Sequence, residues 1–188
     1  MTTSDLSKAP QNGMAGHAER RSTAIIALGS NLGSSTSTLI SAISQVEREI
    51  GPVSAISRFY RSAPLTLSGE PESQPEYLNA ALSCVTTLAP PMILARLLEI
   101  EQRLGRDRSS AQRWTPRIID LDLIFVGNQI LTQPGLKLPH PEAAKRDFVL
   151  RPICDFAPGF IHPELKLTVE ELLHKLETEG ASLFINLT

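Results

Sequence analysis

The sequence contains few cysteines, few aromatic residues and no large excess of charge of either sign. Its 188 residues include two cysteines, 5% aromatic residues, and 18 basic against 20 acidic residues, which leaves a net charge of −2. Cys84 and Cys154 match no metal-finger spacing and would make a poor disulfide framework, so we expect small buried apolar residues in a reducing cytoplasm. The balanced charge excludes a uniformly basic nucleic-acid binder, and we expect no nucleic-acid partner.

Long apolar runs, targeting segments and internal repeats are also missing from the sequence. No run approaches the ~20 apolar residues that a membrane-spanning helix needs, so we expect no membrane partner. Residues 1–22 are polar, lack the apolar centre of a secretory signal, and contain Asp5 and Glu19, which argue against a transit peptide. We therefore predict a cytoplasmic protein with a disordered tail over 1–22 and one folded domain over 23–188. We also expect a monomer, although no pattern in the sequence determines the oligomeric state.

Short β-branched segments alternate with two amphipathic segments between residues 23 and 127. This pattern predicts strands over 23–29, 53–60, 77–87 and 118–127 and helices over 38–50 and 92–104. The order strand, helix, strand, strand, helix, strand is the split βαβ pattern of an α+β fold, which forms a mostly antiparallel sheet with both helices on one face. Beyond it, the sequence predicts short helices near 142–147 and 168–177.

Two aspartates on the last predicted strand carry the strongest chemical signal. Because side chains alternate along a strand, Asp120 and Asp122 share one open face. The opposite face is expected to join the core through Ile119, Leu121, Leu123 and Phe125. Two carboxylates side by side repel each other unless a counter-charge is present. From spacing alone, a divalent cation such as Mg²⁺ and a neighbouring arginine are equally good candidates.

An arginine-rich segment leads directly into this strand. Residues 103–117 contain five arginines and a single acid, Asp107, for a local net charge of +4. Arginine forks match phosphate geometry and stabilise charge on a transferring phosphoryl group. Metal-binding carboxylates beside converging arginines favour phosphoryl transfer over a purely structural ion-pair network.

A glycine loop typical of nucleotide-binding proteins is not present. Ser34 and Ser35 stand where a Walker A loop needs glycine and lysine, and the dinucleotide-binding pattern also fails. We therefore expect Gly29 and Gly33 to form a tight turn.

Aromatic and amide side chains on the third predicted strand could bind a flat heterocycle. Tyr77 and Asn79 share a strand face, where a ring can stack on a ligand and a carboxamide can pair with its edge. From these residues alone, a strand-end tyrosine and a turn-capping asparagine are the favoured interpretation. Trp114 is either a lid or a packing anchor, and His140, between two prolines, is expected to be exposed.

Seven sequence segments occur together in the order of one known family. They are IALGSNLG (26–33), FYRSAPL (59–65), YLNAAL (77–82), LGRDR (104–108), RWTPRIIDLDLI (113–124), LPHP (138–141) and RDFVLRPI (146–153). The ordered set is highly specific, and the chain resembles the 6-hydroxymethyl-7,8-dihydropterin pyrophosphokinase family. The resemblance implies a ferredoxin-like α+β fold and an enzyme of folate biosynthesis. Such an enzyme transfers pyrophosphate from ATP to the hydroxymethyl group of 6-hydroxymethyl-7,8-dihydropterin, leaving AMP.

The resemblance also implies roles for residues at matching positions. Asp120 and Asp122 would bind two Mg²⁺ ions that bridge the ATP phosphates, and with Arg106 and Arg117 they form the implied catalytic set. The implied pterin-binding residues are Ser62, Ala63, Pro64, Leu65, Tyr77, Asn79, Arg146 and Phe148. The implied nucleotide-binding residues are Glu101, Arg106, Arg108, Trp114, Arg117 and His140. Thr115 departs from the family because many members have glycine there, and the N-terminal tail is an extension that the family does not require.

Two other functions share some of these features. A ferredoxin-like sheet can bind RNA, but such a module needs exposed aromatic residues on its central strands, whereas Phe125 is predicted on the core face. A metal-dependent nuclease or phosphatase could use the same aspartates, and Tyr77, Asn79 and Phe148 would then have no role.

Overall fold

The computed structural model describes residues 21–64, 75–106 and 117–179. Its strands and helices, in chain order, are β1 (Ser22–Ser30), α1 (Ser35–Glu49), β2 (Val53–Ile56), β3 (Tyr60–Ser62), β4 (Tyr77–Thr86), α2 (Pro90–Arg103), β5 (Asp120–Val126), β6 (Leu131–Gln133), β7 (Leu136–Leu138), α3 (Asp147–Cys154) and α4 (Val169–Thr178). Among these elements, no helix is long and apolar enough to cross a lipid bilayer. Residues 1–20 of the predicted tail lie outside the described residues. β1 begins at Ser22, the last residue of the predicted tail.

The main sheet is built around β1, in which the segment from Ala24 to Leu28 is buried. β1 pairs with β4 on one side and with β5 on the other, and β4 also pairs with β2 and β3, so the strand order is β2-β4-β1-β5. Each of these pairings is antiparallel. The predicted α+β fold class with its split βαβ order is confirmed.

The helices α1 and α2 cover one face of this sheet. Their apolar side chains recur every three or four residues, and those that are fully buried are Leu39, Ala42, Val46, Ile93, Leu97 and Ile100. They pack against the sheet through Ala24, Ile26 and Leu28 of β1. Burying each leucine or isoleucine contributes about 1.5–3 kcal/mol, so this layer is a principal source of stability. Both helices of the split βαβ unit lie on one face, as predicted.

A second layer of helices, α3 and α4, covers part of the opposite face, which the sequence analysis left open. Leu150 and Ile153 of α3 and Leu172 of α4 pack in one cluster with Ile25 and Phe125 of the sheet. Apolar residues on both faces of β1 are consistent with a central strand that is covered on both sides. The open part of this face is therefore confined to the end of the sheet.

Phe125 lies on the face opposite to the one predicted. The β1–β5 pairing shifts register after Ile25, which lies opposite Phe125, and resumes at Leu123, so Ile124 is an extra residue in β5. A bulge of this kind changes the alternation of side chains beyond it. Phe125 consequently packs against Phe160, with ring centroids 4.7 Å apart, and is 1% exposed. The exposed aromatic residue that the RNA-binding alternative requires is not found at this position.

Local contacts explain the other differences from the predicted elements. The strand predicted over 53–60 is two strands, because the Ser57 hydroxyl accepts the backbone N–H of Ala81 at 2.9 Å and interrupts the ladder. The β6–β7 hairpin was not predicted, since strands of three residues are too short to show a period. The helix predicted near 142–147 is a 3-10 turn over Ala143–Lys145 followed by α3, and the one near 168–177 is α4.

Candidate active site

One pocket of about 600 Å³ opens at the end of the sheet where β1, β4 and β5 lie side by side. In the strand register, Gly29 of β1 lies opposite both Asn79 of β4 and Asp120 of β5, and Ala27 lies opposite Asp122. The two small residues leave space above β1 between the longer side chains of its neighbours. A β-carbon at Gly29 would stand 3.6 Å from Asn79 Oδ1, which is ordinary van der Waals contact.

The position of Gly29 corrects one expectation from the sequence. Gly29 was predicted to form a tight turn, but it lies within β1 and forms part of the pocket floor. The turn that follows is the place of Gly33, whose φ of +66° is a conformation that glycine adopts without steric cost.

Most of the side chains assigned to the site by sequence reasoning line this pocket. They are Ser62, Ala63, Tyr77, Asn79, Arg106, Arg117, Asp120, Asp122, His140, Arg146 and Phe148. Pro64 and Glu101 are described but do not line it. Leu65, Arg108 and Trp114, together with Thr115, lie outside the described residues.

An ion-pair cluster joins Asp120 to two of the predicted arginines. Arg117 donates from Nη1 to Asp120 Oδ2 at 2.6 Å, and Arg106 donates to Asp120 Oδ1 and to Glu101. From spacing alone, an arginine and a metal ion were equal candidates for the counter-charge. Among the described residues, Arg106 and Arg117 both form ion pairs with Asp120. An anion that enters the pocket therefore meets two guanidinium groups already in place.

Glu101 lies beneath the pocket and is fully buried on α2. Its Oε1 accepts the backbone N–H of Leu121 at 2.8 Å, and the same carboxylate pairs with Arg106. A buried carboxylate needs such partners, because an unpaired charge away from water is costly. Glu101 thus fixes Arg106 relative to β5, while its predicted contact with a nucleotide stays a prediction.

Burial shifts two titratable groups of the pocket toward their neutral forms. Burial and the nearby Asp120 raise the pKa of Asp122, whereas burial lowers the pKa of His140. The His140 Nδ1 accepts the backbone N–H of Glu142 at 3.3 Å, so in the neutral ring Nε2 carries the proton. His140 was expected to be exposed, but it is partly buried, because its backbone N–H donates to Ile124 O at 3.0 Å and holds this turn against β5.

Two aromatic side chains reach the pocket from different elements. Tyr77 begins β4, and Phe148 lies in the first turn of α3, where the Arg146 guanidinium stands 5.8 Å from its ring centre. Asn79 shares the strand face of Tyr77 and donates from Nδ2 to Ser62 Oγ at 2.9 Å. That hydrogen bond orients the carboxamide. The aromatic and amide groups that a flat heterocycle needs are thus within one pocket.

Sequence reasoning missed pocket residues of two kinds. For Ala27 and Gly29 a signal existed, since they are small residues at alternate positions that follow the bulky pair Ile25 and Ile26 in the same strand. Glu142 and Val149 carried no signal. They reach the pocket only because the turn before α3 and the helix itself pack over the sheet.

The two strand carboxylates fit a magnesium site that a bound phosphate would complete. Asp120 and Asp122 both line the pocket and offer hard oxygen donors. Mg²⁺ is commonly held by one or two carboxylates plus substrate phosphates. Within residues 21–64, 75–106 and 117–179, no group of three or more His, Cys, Asp or Glu side chains could hold a metal ion.

Comparisons with known proteins point to one family. A family model described as 7,8-dihydro-6-hydroxymethylpterin-pyrophosphokinase (HPPK) matches residues 25–158. The 2-amino-4-hydroxy-6-hydroxymethyldihydropteridine pyrophosphokinase of Synechocystis is 37% identical over 155 residues, which cover 82% of this chain and 76% of that protein. The protein of the same name from Pseudomonas aeruginosa is 39% identical over 157 residues, which cover 82% of this chain and 92% of that one.

A solved structure shares the same fold. The crystal structure of wild-type Plasmodium falciparum HPPK-DHPS matches 87% of this chain with a TM-score of 0.66 and 14% identity. At that identity the likeness shows the fold alone. The chain spans about half of that protein, since the match covers 47% of its length.

Proposed function

This chain belongs to the 7,8-dihydro-6-hydroxymethylpterin-pyrophosphokinase family of enzymes, and we propose that its donor is ATP and its acceptor 6-hydroxymethyl-7,8-dihydropterin. The transfer, a step of folate biosynthesis, joins the hydroxymethyl oxygen to the β-phosphorus of ATP. It breaks the bond from the β-phosphorus to the oxygen that bridges to the α-phosphorus, and AMP and the hydroxyl proton leave. The observation that carries the proposal is one pocket in which strand carboxylates, arginines and aromatic rings converge.

The pterin is assigned to the part of the pocket that contains Tyr77, Asn79 and Phe148. Stacking on the two aromatic rings would hold the flat heterocycle, and the Asn79 carboxamide would pair with its polar edge. Support comes from the hydrogen bond between Asn79 and Ser62, which orients the amide before any ligand arrives. Ala63 lines the same part of the pocket, and Pro64 and Leu65 follow it in the chain.

The triphosphate is assigned to the cationic part of the pocket. Arg106 and Arg117 line it, and His140 offers a neutral donor at Nε2. Arg146 stays with the pterin part, where its guanidinium lies 5.8 Å from the centre of the Phe148 ring. Guanidinium forks bind phosphate oxygens in pairs and stabilise the charge that develops as the pyrophosphoryl group moves. The nucleotide roles of Glu101, Arg108 and Trp114 belong to the same proposal.

We assign Mg²⁺ binding to Asp120 and Asp122. Two ions bound with ATP would neutralise phosphate charge, which is what phosphoryl transfer needs from a metal. The chain's own residues align the hydroxymethyl oxygen with the β-phosphorus, exclude water and hold the phosphates. No covalent enzyme intermediate is required by this arrangement.

The proposal includes a cytoplasmic monomer without a nucleic-acid or membrane partner. The net charge of −2 supports the absence of a nucleic-acid partner, and the two free cysteines support a reducing cytoplasm.

The decisive experiment measures AMP release by the purified protein. We expect AMP only when ATP, Mg²⁺ and 6-hydroxymethyl-7,8-dihydropterin are all present, together with diphosphorylated pterin in equal amount. Asp122→Asn should reduce turnover at least about a hundredfold, because the charge on the phosphates is no longer balanced. Glu49→Gln is the matched control, since this acid pairs with Arg103 on the helical layer and does not line the pocket.

Two outcomes contradict the proposal. Release of AMP or phosphate from ATP at the same rate without pterin would indicate a phosphatase. Near-normal turnover of Asp122→Asn would show that the carboxylate pair is not the metal site.

A further inference from the structure

Three side chains outside the pocket join the strand edge of the sheet to the end of α3. Asp155 follows α3 and accepts hydrogen bonds from the Arg58 backbone N–H at 2.8 Å, from Arg58 Nη2 at 2.7 Å and from the Tyr60 hydroxyl at 2.7 Å. Arg58 Nη2 also donates to the Tyr60 oxygen at 2.8 Å. None of the three residues lines the pocket.

Burial identifies the Tyr60–Asp155 hydrogen bond as the strong part of this cluster. The Arg58 side chain is 74% exposed, so water screens its ion pair with Asp155. Tyr60 is 3% exposed, and burial raises the pKa of its phenol, so the hydroxyl keeps its proton. Burial also raises the pKa of Asp155, but the hydrogen bonds from Arg58 and Tyr60 outweigh it and leave that pKa below its usual value. A protonated phenol therefore donates to an ionised carboxylate.

On the strand side of this hydrogen bond, Tyr60 lies next to Asn79. Tyr60 of β3 lies opposite Asn79 of β4, and Asn79 Nδ2 donates to the Tyr60 carbonyl oxygen at 3.5 Å and to Ser62 Oγ at 2.9 Å. β3 has three residues, which is too short to be rigid by itself. A contact that fixes Tyr60 therefore also fixes the Tyr60 carbonyl oxygen and Ser62 Oγ, which accept hydrogen bonds from the Asn79 amide.

On the helix side, Asp155 and Phe148 lie at opposite ends of α3. α3 runs over Asp147–Cys154, so Phe148 lies in its first turn while Asp155 follows its last. At about 1.5 Å per residue this helix is about 12 Å long, and although Pro152 removes one of its backbone hydrogen bonds, Val149 and Ile153 hold both of its ends in one buried cluster. A displacement of the end at Asp155 is consequently passed on to Phe148.

We propose that Tyr60 and Asp155 are a positioning pair for the pterin, an inference that rests on the proposed function. Their hydrogen bond ties β3 to α3 and so sets the relative position of Asn79 on the strand side and Phe148 on the helix side. Neither side chain touches the ligand. Both act by keeping the pterin site in its binding geometry before the ligand arrives.

The experiment separates pterin affinity from nucleotide affinity. Tyr60→Phe removes the hydroxyl and keeps the ring, and Asp155→Ala removes the carboxylate. Calorimetry gives the Kd of 6-hydroxymethylpterin with a non-hydrolysable ATP analogue present, and the Kd of the analogue alone. We expect the pterin Kd to rise about tenfold, or about 1.4 kcal/mol, and the nucleotide Kd to change less than about twofold.

A double variant tests whether the two residues act through one hydrogen bond. If they do, Tyr60→Phe combined with Asp155→Ala weakens pterin binding no more than the larger single loss. Fully additive losses would overturn the pairing. Should Asp155→Ala not fold, as judged by circular dichroism, Tyr60→Phe alone decides.

Glu177→Gln is the matched control. Glu177 of α4 pairs with Arg151 of α3, so the variant weakens another contact of the same helix that does not reach β3. Its pterin Kd should equal that of the wild type. An equal loss in this control, an unchanged pterin Kd in Tyr60→Phe, or an equal loss of nucleotide affinity would overturn the positioning role. Wild-type protein that binds no pterin would instead overturn the proposed function, so the two failures are distinguishable.

Discussion

The backbone N–H of Leu121, which lies between Asp120 and Asp122 at the start of β5, donates a hydrogen bond of 2.8 Å to Oε1 of Glu101. The same buried carboxylate pairs with Arg106, which also reaches Asp120. One acid on α2 therefore fixes both the strand and the arginine. Glu101 does not line the pocket, but a substitution there should change the arrangement of Arg106 and Asp120, which do line it.

Substitutions at Glu101 should separate its charge from its hydrogen-bonding shape. Glu101→Gln retains an oxygen for the Leu121 N–H but loses the charge facing Arg106, so we expect a loss of about 1–3 kcal/mol in the free energy of unfolding. Glu101→Ala leaves both the Leu121 N–H and Arg106 without the carboxylate and should lower the free energy of unfolding by about 3–5 kcal/mol. Urea denaturation measures both losses. No loss in Glu101→Gln would show that the carboxylate charge does not act on Arg106, and equal losses in the two variants would show that the hydrogen bond to Leu121 contributes nothing.

The aromatic residues of the pterin site should contribute to pterin binding alone. Tyr77→Ala and Phe148→Ala each remove one stacking surface and should weaken pterin binding by about 1 kcal/mol. Asn79→Ala should also weaken it, because polar groups of the pterin are then left without partners. Calorimetry with pterin and with an ATP analogue tests this. Equal losses for the two ligands would mean that the pterin has been assigned to the wrong part of the pocket.

Side-chain size at Gly29 should control access to the pocket floor. A β-carbon there meets Asn79 Oδ1 at 3.6 Å and Tyr77 Cδ1 at 4.0 Å, so Gly29→Ala should be tolerated and retain most activity. Gly29→Leu adds three further carbons, which must extend into the pocket between β4 and β5, and should abolish pterin binding. The comparison of kcat/KM in the two variants is internally controlled. Full activity of Gly29→Leu would show that the ligand does not approach this strand.

The hydrogen bonds to Asp155 should make stability depend on pH. The folded-state pKa of Asp155 lies below its unfolded value of about 3.9, so the unfolded chain binds the proton more readily. The stability supplied by this group is present above the unfolded pKa and is lost as pH falls through the folded pKa. The difference in unfolding free energy between wild type and Asp155→Asn should be constant above about pH 5 and shrink below about pH 4. Urea denaturation across this range checks the sign, and a difference that grows in acid contradicts it.

Alternation along the strands made part of the site predictable from the sequence. Asp120 with Asp122, and Tyr77 with Asn79, share faces because a regular strand leaves no other arrangement, and all four side chains line the pocket. Phe125 failed the same reasoning, because the extra residue Ile124 changes the alternation and no local pattern marks that bulge.

The sequence by itself determined the α+β class, the order of the split βαβ elements and the shared strand faces of Asp120 with Asp122 and of Tyr77 with Asn79. These depend on periodicity and on residues near one another in the chain, where local geometry suffices. Only the tertiary structure decided that α3 and α4 cover the second face, that Glu101 lies under β5, and that Asp155 reaches Tyr60 across 95 residues. Each of these contacts joins distant parts of the chain, and which distant groups meet is settled by how the layers pack, a property of the whole fold.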